Sequence, residues 1–161
     1  MPYLILKGCT LTCLAGLLLA CNAKTENAAA DVIDKEQIKK EIQAKEDSFA
    51  AVYNSGEPRS INYYAEDAKS FFPNRPPLVG KQAIIAFLTS DLTSPIDHIK
   101  YTTNEVFVSN DGKLVVELGA FSVTDSLNTP LNTGNYMSLF EKRNGQYVAV
   151  RDMSASDGLT K

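Results

Sequence analysis

YNSGEPRSINYYAEDAKSFFPNRPPLVGKQAIIAFL, Tyr53 to Leu88, is the stretch whose reading decides the fold. Val52 and Tyr53 close an apolar helix face, and Asn54-Ser55-Gly56 stops that helix, glycine being suited to the left-handed position past a helix end. Pro58 fits the first turn of a second helix, where its missing N–H costs nothing, and that helical region is expected to run to Asp67. A strand is predicted from Ala68 to Phe72, halted by Pro73 and by the Pro76-Pro77 pair. Gly80 then precedes a third helix carrying Ile84, Ile85 and Leu88.

On the N-terminal side, Asp34 is placed to cap the first helix, and Ile38, Ile42, Phe49 and Val52 mark one face at helical spacing. Lys39, Lys40, Glu41, Lys45 and Glu46 are expected on a solvated face. On the C-terminal side the period changes to two. A strand from Tyr101 to Ser109 turns at Asn110-Asp111-Gly112, and Leu114 to Thr124 returns. Leu127 to Asn132 reads as a loop, Thr133 to Lys142 as a strand, Asn144-Gly145 as a turn and Gln146 to about Ser156 as the last strand. Helices first and a strand meander after them predict an α+β fold, with helices covering one face of the sheet.

Several of these segments resemble the small cone-shaped family that contains nuclear transport factor 2, ketosteroid isomerase and the SnoaL-like polyketide cyclases. The matching pieces are Tyr53-Asn54-Ser55-Gly56-Glu57, Tyr64-Ala65-Glu66-Asp67-Ala68 and Leu78-Val79-Gly80-Lys81-Gln82-Ala83-Ile84, joined later by Gly134-Asn135-Tyr136-Met137-Ser138-Leu139-Phe140 and Asn144-Gly145-Gln146-Tyr147. The resemblance spans about Lys35 to Asp157. It implies a curved antiparallel sheet wrapped around N-terminal helices, a cystatin-like cone. It says little about activity, because one fold hosts many unrelated sites.

The chain has 161 residues, room for one domain of roughly 100–150 residues plus extras. At 44% hydrophobic it can bury a full core, and a formal charge of −3 argues against a nucleic-acid partner, which would need a basic stripe. There is no Trp, so seven Tyr and seven Phe supply the large rings.

Lys7 is the only charge before an apolar run from Leu11 to Ala20, too short to span a bilayer at about 20 residues and suited to a secretory signal. The run ends in Leu18-Leu19-Ala20-Cys21, which resembles the bacterial lipobox. That resemblance implies cleavage before Cys21 and a diacylglycerol on its thiol, several chains on one residue giving a stable anchor. An ordinary secretory signal and an uncleaved anchor are the competing readings. The expected organisation is a signal peptide over residues 1–20, a flexible tether over 21–33 and a domain over 34–158. Cys9 and Cys13 leave with the signal and Cys21 is lipidated, so the mature domain has no thiol to bind metal or form a disulfide. Asn22 after the cysteine lacks the Asp that marks inner-membrane retention in enteric bacteria, so analogy places the protein in the cell envelope at the outer membrane.

In ketosteroid isomerase a general-base Asp, a Tyr donor and a protonated Asp act together, an arrangement that is a standard example of tuned carboxylates. By the resemblance, the base position falls at Phe72, the Tyr position at Phe49 and the second Asp position at Met137, the last to within about two residues. None of these side chains can move a proton, so isomerase chemistry by that route is not expected. The ligand pocket is expected to be lined by Phe49, Tyr53, Tyr64, Phe72, Met137, Val150, Asp152 and Ser154. On the last strand, period two places Val148, Val150, Asp152 and Ser154 on one face. Family registration turns that face inward. Asp152 is then the one candidate catalytic residue, an acid or base in an apolar wall whose pKa burial would raise, with Tyr53 and Tyr64 as hydrogen-bond partners. Its bland alternative is a rim carboxylate held by backbone or Tyr.

His98 is the only His, and with no mature Cys it cannot make a metal site; no metal and no cofactor are expected. Ser122, Ser138 and Ser154 lack a His at triad spacing. Three functions remain open. One is a lipid-tethered module binding a small apolar ligand or a protein partner. Another is a SnoaL-like enzyme using Asp152. The third is a homodimerising domain, joined through the outer sheet face by residues such as Tyr147, Ala149 and Met153.

Overall fold

Asp34 caps the first helix as its position predicts: its carboxylate accepts a hydrogen bond from the Gln37 amide at 2.9 Å. Helix α1 runs Lys35–Asn54 and buries Ile38, Ile42 and Phe49. Gly56, at φ +78°, lets the chain leave it. The computed structural model describes residues 33–91 and 98–159. The expected signal segment, Cys21 and nearly all of the expected tether lie outside the described residues.

The second helix is shorter than expected. Only a single 3-10 turn forms, Pro58–Ser60, and strand β1 begins at Tyr64 and runs to Phe71. Ile61, Tyr63, Tyr64, Ala65 and Ala68 are all buried. A tyrosine pair suits a strand edge better than a helix turn, and pairing with the last strand draws the segment into the sheet. The remaining elements are β2 Leu78–Val79, α2 Lys81–Asp91, β3 His98–Val108, β4 Leu114–Thr124, β5 Pro130–Arg143 and β6 Gln146–Leu159. Strand β5 starts inside the segment expected to be a loop.

These strands form one sheet in the order β2-β1-β6-β5-β4-β3. The meander β3 to β6 is antiparallel, as predicted, and β1 joins it parallel to β6, with Ser70 opposite Asp152 and Phe71 opposite Met153. The architecture is the expected α+β one.

An edge strand exposes unpaired backbone groups, and side chains of α1 cover the free edge of β3. Asn54 exchanges two hydrogen bonds with the Ile99 backbone, each 2.9 Å. Gln43 accepts from the Thr103 amide at 2.7 Å and donates to the Tyr101 carbonyl at 3.2 Å. Lys39 donates to the Asn104 carbonyl at 2.6 Å. Part of the face expected to be solvated therefore clamps the helix to the sheet. Glu46 departs from that expectation further, being 2% exposed. Its place four residues past Ile42 and three before Phe49 puts it on the apolar stripe. Among the described residues no helix is long and apolar enough to cross a membrane.

Candidate functional site

The space between α1 and the sheet holds a cavity of about 60 Å3. Phe49 and Glu46 reach it from α1, Tyr63 and Tyr64 from the start of β1, Tyr101 from β3, Tyr136 and Ser138 from β5, and Asp152 and Ser154 from β6; Phe72 and Leu88 complete an apolar wall. The rings interlock edge to face: Phe49 lies 5.2 Å from Tyr63 and 5.6 Å from Tyr101, and Tyr63 lies 4.9 Å from Tyr64. Such pairs hold one another's orientation beyond what area burial alone would do.

Sheet register aligns the polar groups. Glu117 on β4, Ser138 on β5 and Asp152 on β6 are opposite one another in a single cross-strand row. Each faces inward because residues two apart share a face. A bulge decides the inward face of β6. Leu139 pairs with Arg151 and Phe140 with Ala149, which leaves Val150 as the extra residue. Before the bulge Tyr147 and Ala149 are buried; after it Asp152 and Ser154 face in.

Three carboxyl groups are thus withdrawn from water. Tyr64 donates to Asp152 Oδ2 at 2.9 Å. Tyr63 donates to Glu46 Oε1 at 2.5 Å. Tyr136 and Thr103 donate to Glu117 Oε1 at 2.8 and 2.6 Å. Burial pushes the Asp152 carboxyl up to about 6, with the Ser70 and Tyr64 hydroxyls holding it back. Ser70 is opposite Asp152 across the β1–β6 pair, and by geometry neither Ser70 Oγ nor Asp152 Oδ1 makes a hydrogen bond among the described protein groups. Burial first, and the neighbouring Glu117 charge second, raise Glu46 well above the usual carboxylate range. Burial also raises Glu117, against its hydrogen bonds from Thr103 and Tyr136. Two acids this close hold a proton between them rather than both ionising. Burial likewise raises Tyr63, Tyr64 and Tyr101, which therefore stay neutral donors. Among the described residues no His, Cys, Asp and Glu are grouped to hold a metal ion.

The structure brings five of the eight expected pocket residues to the cavity: Phe49, Tyr64, Phe72, Asp152 and Ser154. Tyr64 is the hydrogen-bond partner expected for Asp152. Tyr53 stacks on Phe49, ring centroids 6.2 Å apart, one layer back from the cavity. Val150 is buried in the core at the bulge. Met137 points the other way and is 43% exposed. The position assigned to it sits one residue off the inward set, and in a strand one residue exchanges faces; Tyr136 and Ser138 are the inward neighbours. The same argument corrects the outer face, since Tyr147 and Ala149 are core residues.

The cavity residues not anticipated are Glu46, Tyr63, Ser70, Leu88, Tyr101, Tyr136 and Ser138, together with Met153, which was expected on the outer face and also borders the cavity, with Glu117 behind them. Glu46 carried a signal in its helical spacing. Glu117 alternates with Val115 and Gly119, but the opposite face of that strand, Val116 and Leu118, is equally apolar.

No family model matches the sequence, and no curated protein matches it either. Solved structures do resemble it. A ketosteroid isomerase-like protein from Erwinia carotovora atroseptica aligns at 19% identity over 74% of this chain and 95% of its own, with a TM-score of 0.59. A nuclear transport factor 2-like protein with a cystatin-like fold from Novosphingobium aromaticivorans aligns at 16% identity over 76% and 84%, TM-score 0.63. A nuclear transport factor 2-like superfamily protein from Salmonella enterica serovar Typhimurium aligns at 14% identity over 80% and 96%, TM-score 0.62. These likenesses establish the fold, the cystatin-like cone of nuclear transport factor 2-like and ketosteroid isomerase-like proteins.

Proposed function

We propose that this chain is a lipid-anchored cell-envelope domain that binds a small ligand in the cone beneath Asp152, without ketosteroid-isomerase chemistry. The observation that carries this reading is the buried Asp152 carboxyl, with Tyr64 on one oxygen and the other lacking a partner at a cavity wall. An acceptor left unmatched in an apolar enclosure is destabilising until something donates to it. Phe49 and Phe72, at two of the three isomerase positions, line the same cavity and have no proton to exchange. The space of about 60 Å3 is far below the roughly 300–1,000 Å3 of sites for drug-sized ligands, which argues for a molecule of a few heavy atoms and against a steroid.

Mass spectrometry of metabolites co-purifying with the full-length chain tests the binding role. A small molecule retained by the native protein and lost from Asp152→Asn supports it; equal recovery from both overturns it. Radiolabelled palmitate tests the anchor: label in the native chain and none in Cys21→Ser supports lipidation, and an unlabelled native protein rules it out.

A second reading is acid/base catalysis by Asp152. It is favoured by a pKa of about 6, close to working pH, where a carboxyl can both take and return a proton. Homodimerisation through the outer face is compatible with either. Cross-strand register lays Phe71, Met153, Met137 and Leu118 in one row there, ending in Glu105 on β3. In the adjacent row Lys69 and Arg151 lie toward the opposite side of the sheet. A two-fold axis through the apolar row would set Glu105 of one copy toward these cations of the other, as a self-complementary interface requires.

A further inference from the structure

We infer that the cavity at Asp152 is a site for a small primary ammonium ion, the head of a short alkylamine; this rests on the reading of the cavity as a ligand site. The unpartnered oxygen of Asp152 and the charge of the wall carry it. Tyr63, Tyr64, Tyr136 and Thr103 each have a single hydroxyl hydrogen, and each gives it to a carboxylate. Because the Tyr63 hydrogen goes to Glu46, the 3.1 Å contact between Tyr63 and Ser138 must be donated by Ser138. What these groups still present is lone pairs. Asp152 Oδ1 lacks any protein donor among the described residues. Ser70, Tyr101 and Ser154 add hydroxyl donors to the wall, so what the cavity lacks is positive charge, and an N–H guest that carries one suits the unpartnered Asp152 oxygen.

Charge and shape point the same way. No Lys, Arg or His lines the cavity, while the carboxyls of Glu46 and Asp152 do. An anion would meet only repulsion. Tyrosine and phenylalanine rings surround the carboxyls, and ring faces attract a cation within about 6 Å. The carboxyls are not arranged to converge on a metal ion. A quaternary ammonium would satisfy the charge but offer no hydrogen to Asp152 Oδ1. The volume, near 60 Å3 where a single water needs roughly 10–15 Å3, admits a group of methylammonium size.

The titratable groups that face Asp152 are Glu46 from α1, Tyr63 and Tyr64 from the β1 end, Tyr101 from β3, Glu117 from β4 and Tyr136 from β5. None can become cationic, so nothing in the wall substitutes for the guest as pH rises.

The test is carboxyl-carbon NMR on the full chain, titrated with methylammonium, methanol and tetramethylammonium. Methylammonium is expected to move the Asp152 resonance saturably, with the other two at least about tenfold weaker. Its affinity should fall about tenfold between pH 7.5 and pH 5, as a carboxyl titrating near 6 takes up its proton. Asp152→Asn should abolish stabilisation by methylammonium; the resonance readout uses the unaltered chain and decides the matter even if that variant fails to fold. Equal binding of methanol, or binding of tetramethylammonium alone, overturns the ammonium assignment while leaving a ligand cavity. An Asp152 resonance unmoved by all three also overturns it, and recovery of a different co-purifying metabolite would then show the cavity reading standing without it.

Discussion

The Tyr136 ring lies directly over the backbone of Gly119 on the neighbouring strand: a Cβ built at Gly119 would come within 2.3 Å of Tyr136 Cζ. The two residues are opposite one another in the β4–β5 register. Only a residue without a side chain lets the ring lie flat enough for its hydroxyl to reach Glu117 at 2.8 Å. Gly119→Ala is therefore expected to displace the ring, break that hydrogen bond and destabilise the fold by about 1–3 kcal/mol, as overpacking does. Denaturant unfolding measures it, and an unchanged midpoint would contradict the close packing.

Asp152 makes stability depend on pH in a specific direction. Its folded pKa, about 6, lies above the ordinary value of 3.8, so the unfolded chain releases this proton first as pH rises. The carboxyl thus costs nothing below about pH 4 and its full penalty above about pH 6, on the order of 3 kcal/mol for a shift of this size. Asp152→Asn removes the term. The stability advantage of the variant over the native protein should grow between those limits and level off above them. A constant difference across that range would show the carboxyl is not buried.

Asn54 and Gln43 act as substitutes for a neighbouring strand along β3. Asn54→Ala removes two hydrogen bonds to Ile99, at a cost of about 1–3 kcal/mol. The amide of Ile99 should lose hydrogen-exchange protection. In Gln43→Ala the amide of Thr103 should do the same. Protection that survives both changes would mean that the helix does not guard this edge.

Met137 and Met153 face one another on the outer sheet surface, 43% and 53% exposed. If that surface joins two copies, Met137→Lys and Met153→Lys place cations in the apolar row, and light scattering should report monomer where the native chain is a dimer. The fold should be unaffected, because both side chains are exposed on the sheet surface. A native chain that is monomeric at micromolar concentration sinks the interface.

Much of the fold is legible from short-range chemistry. The Asp34 cap, the helix stop at Gly56, the start of α2 after Gly80 and the bounds of β4 all lie where local rules place them. These features depend on residues a few positions apart. The extent of β1 was not legible, because pairing with β6, far along the chain, overrides the helical reading of Tyr64 to Asp67.

The sequence by itself determined the α+β class and most of the order of elements, and with the family resemblance it pointed to an inward Asp152 with Tyr64 among its partners. Tertiary structure decided which groups keep them company. The bulge at Val150 turned Tyr147 and Ala149 into core, a shift of one residue put Met137 outside and Tyr136 within, and the docking of α1 on β3 carried Glu46 in beside Glu117. The physical reason is the two-residue period of a strand. A single inserted or miscounted residue exchanges its faces, and only the pairing of distant strands fixes that count.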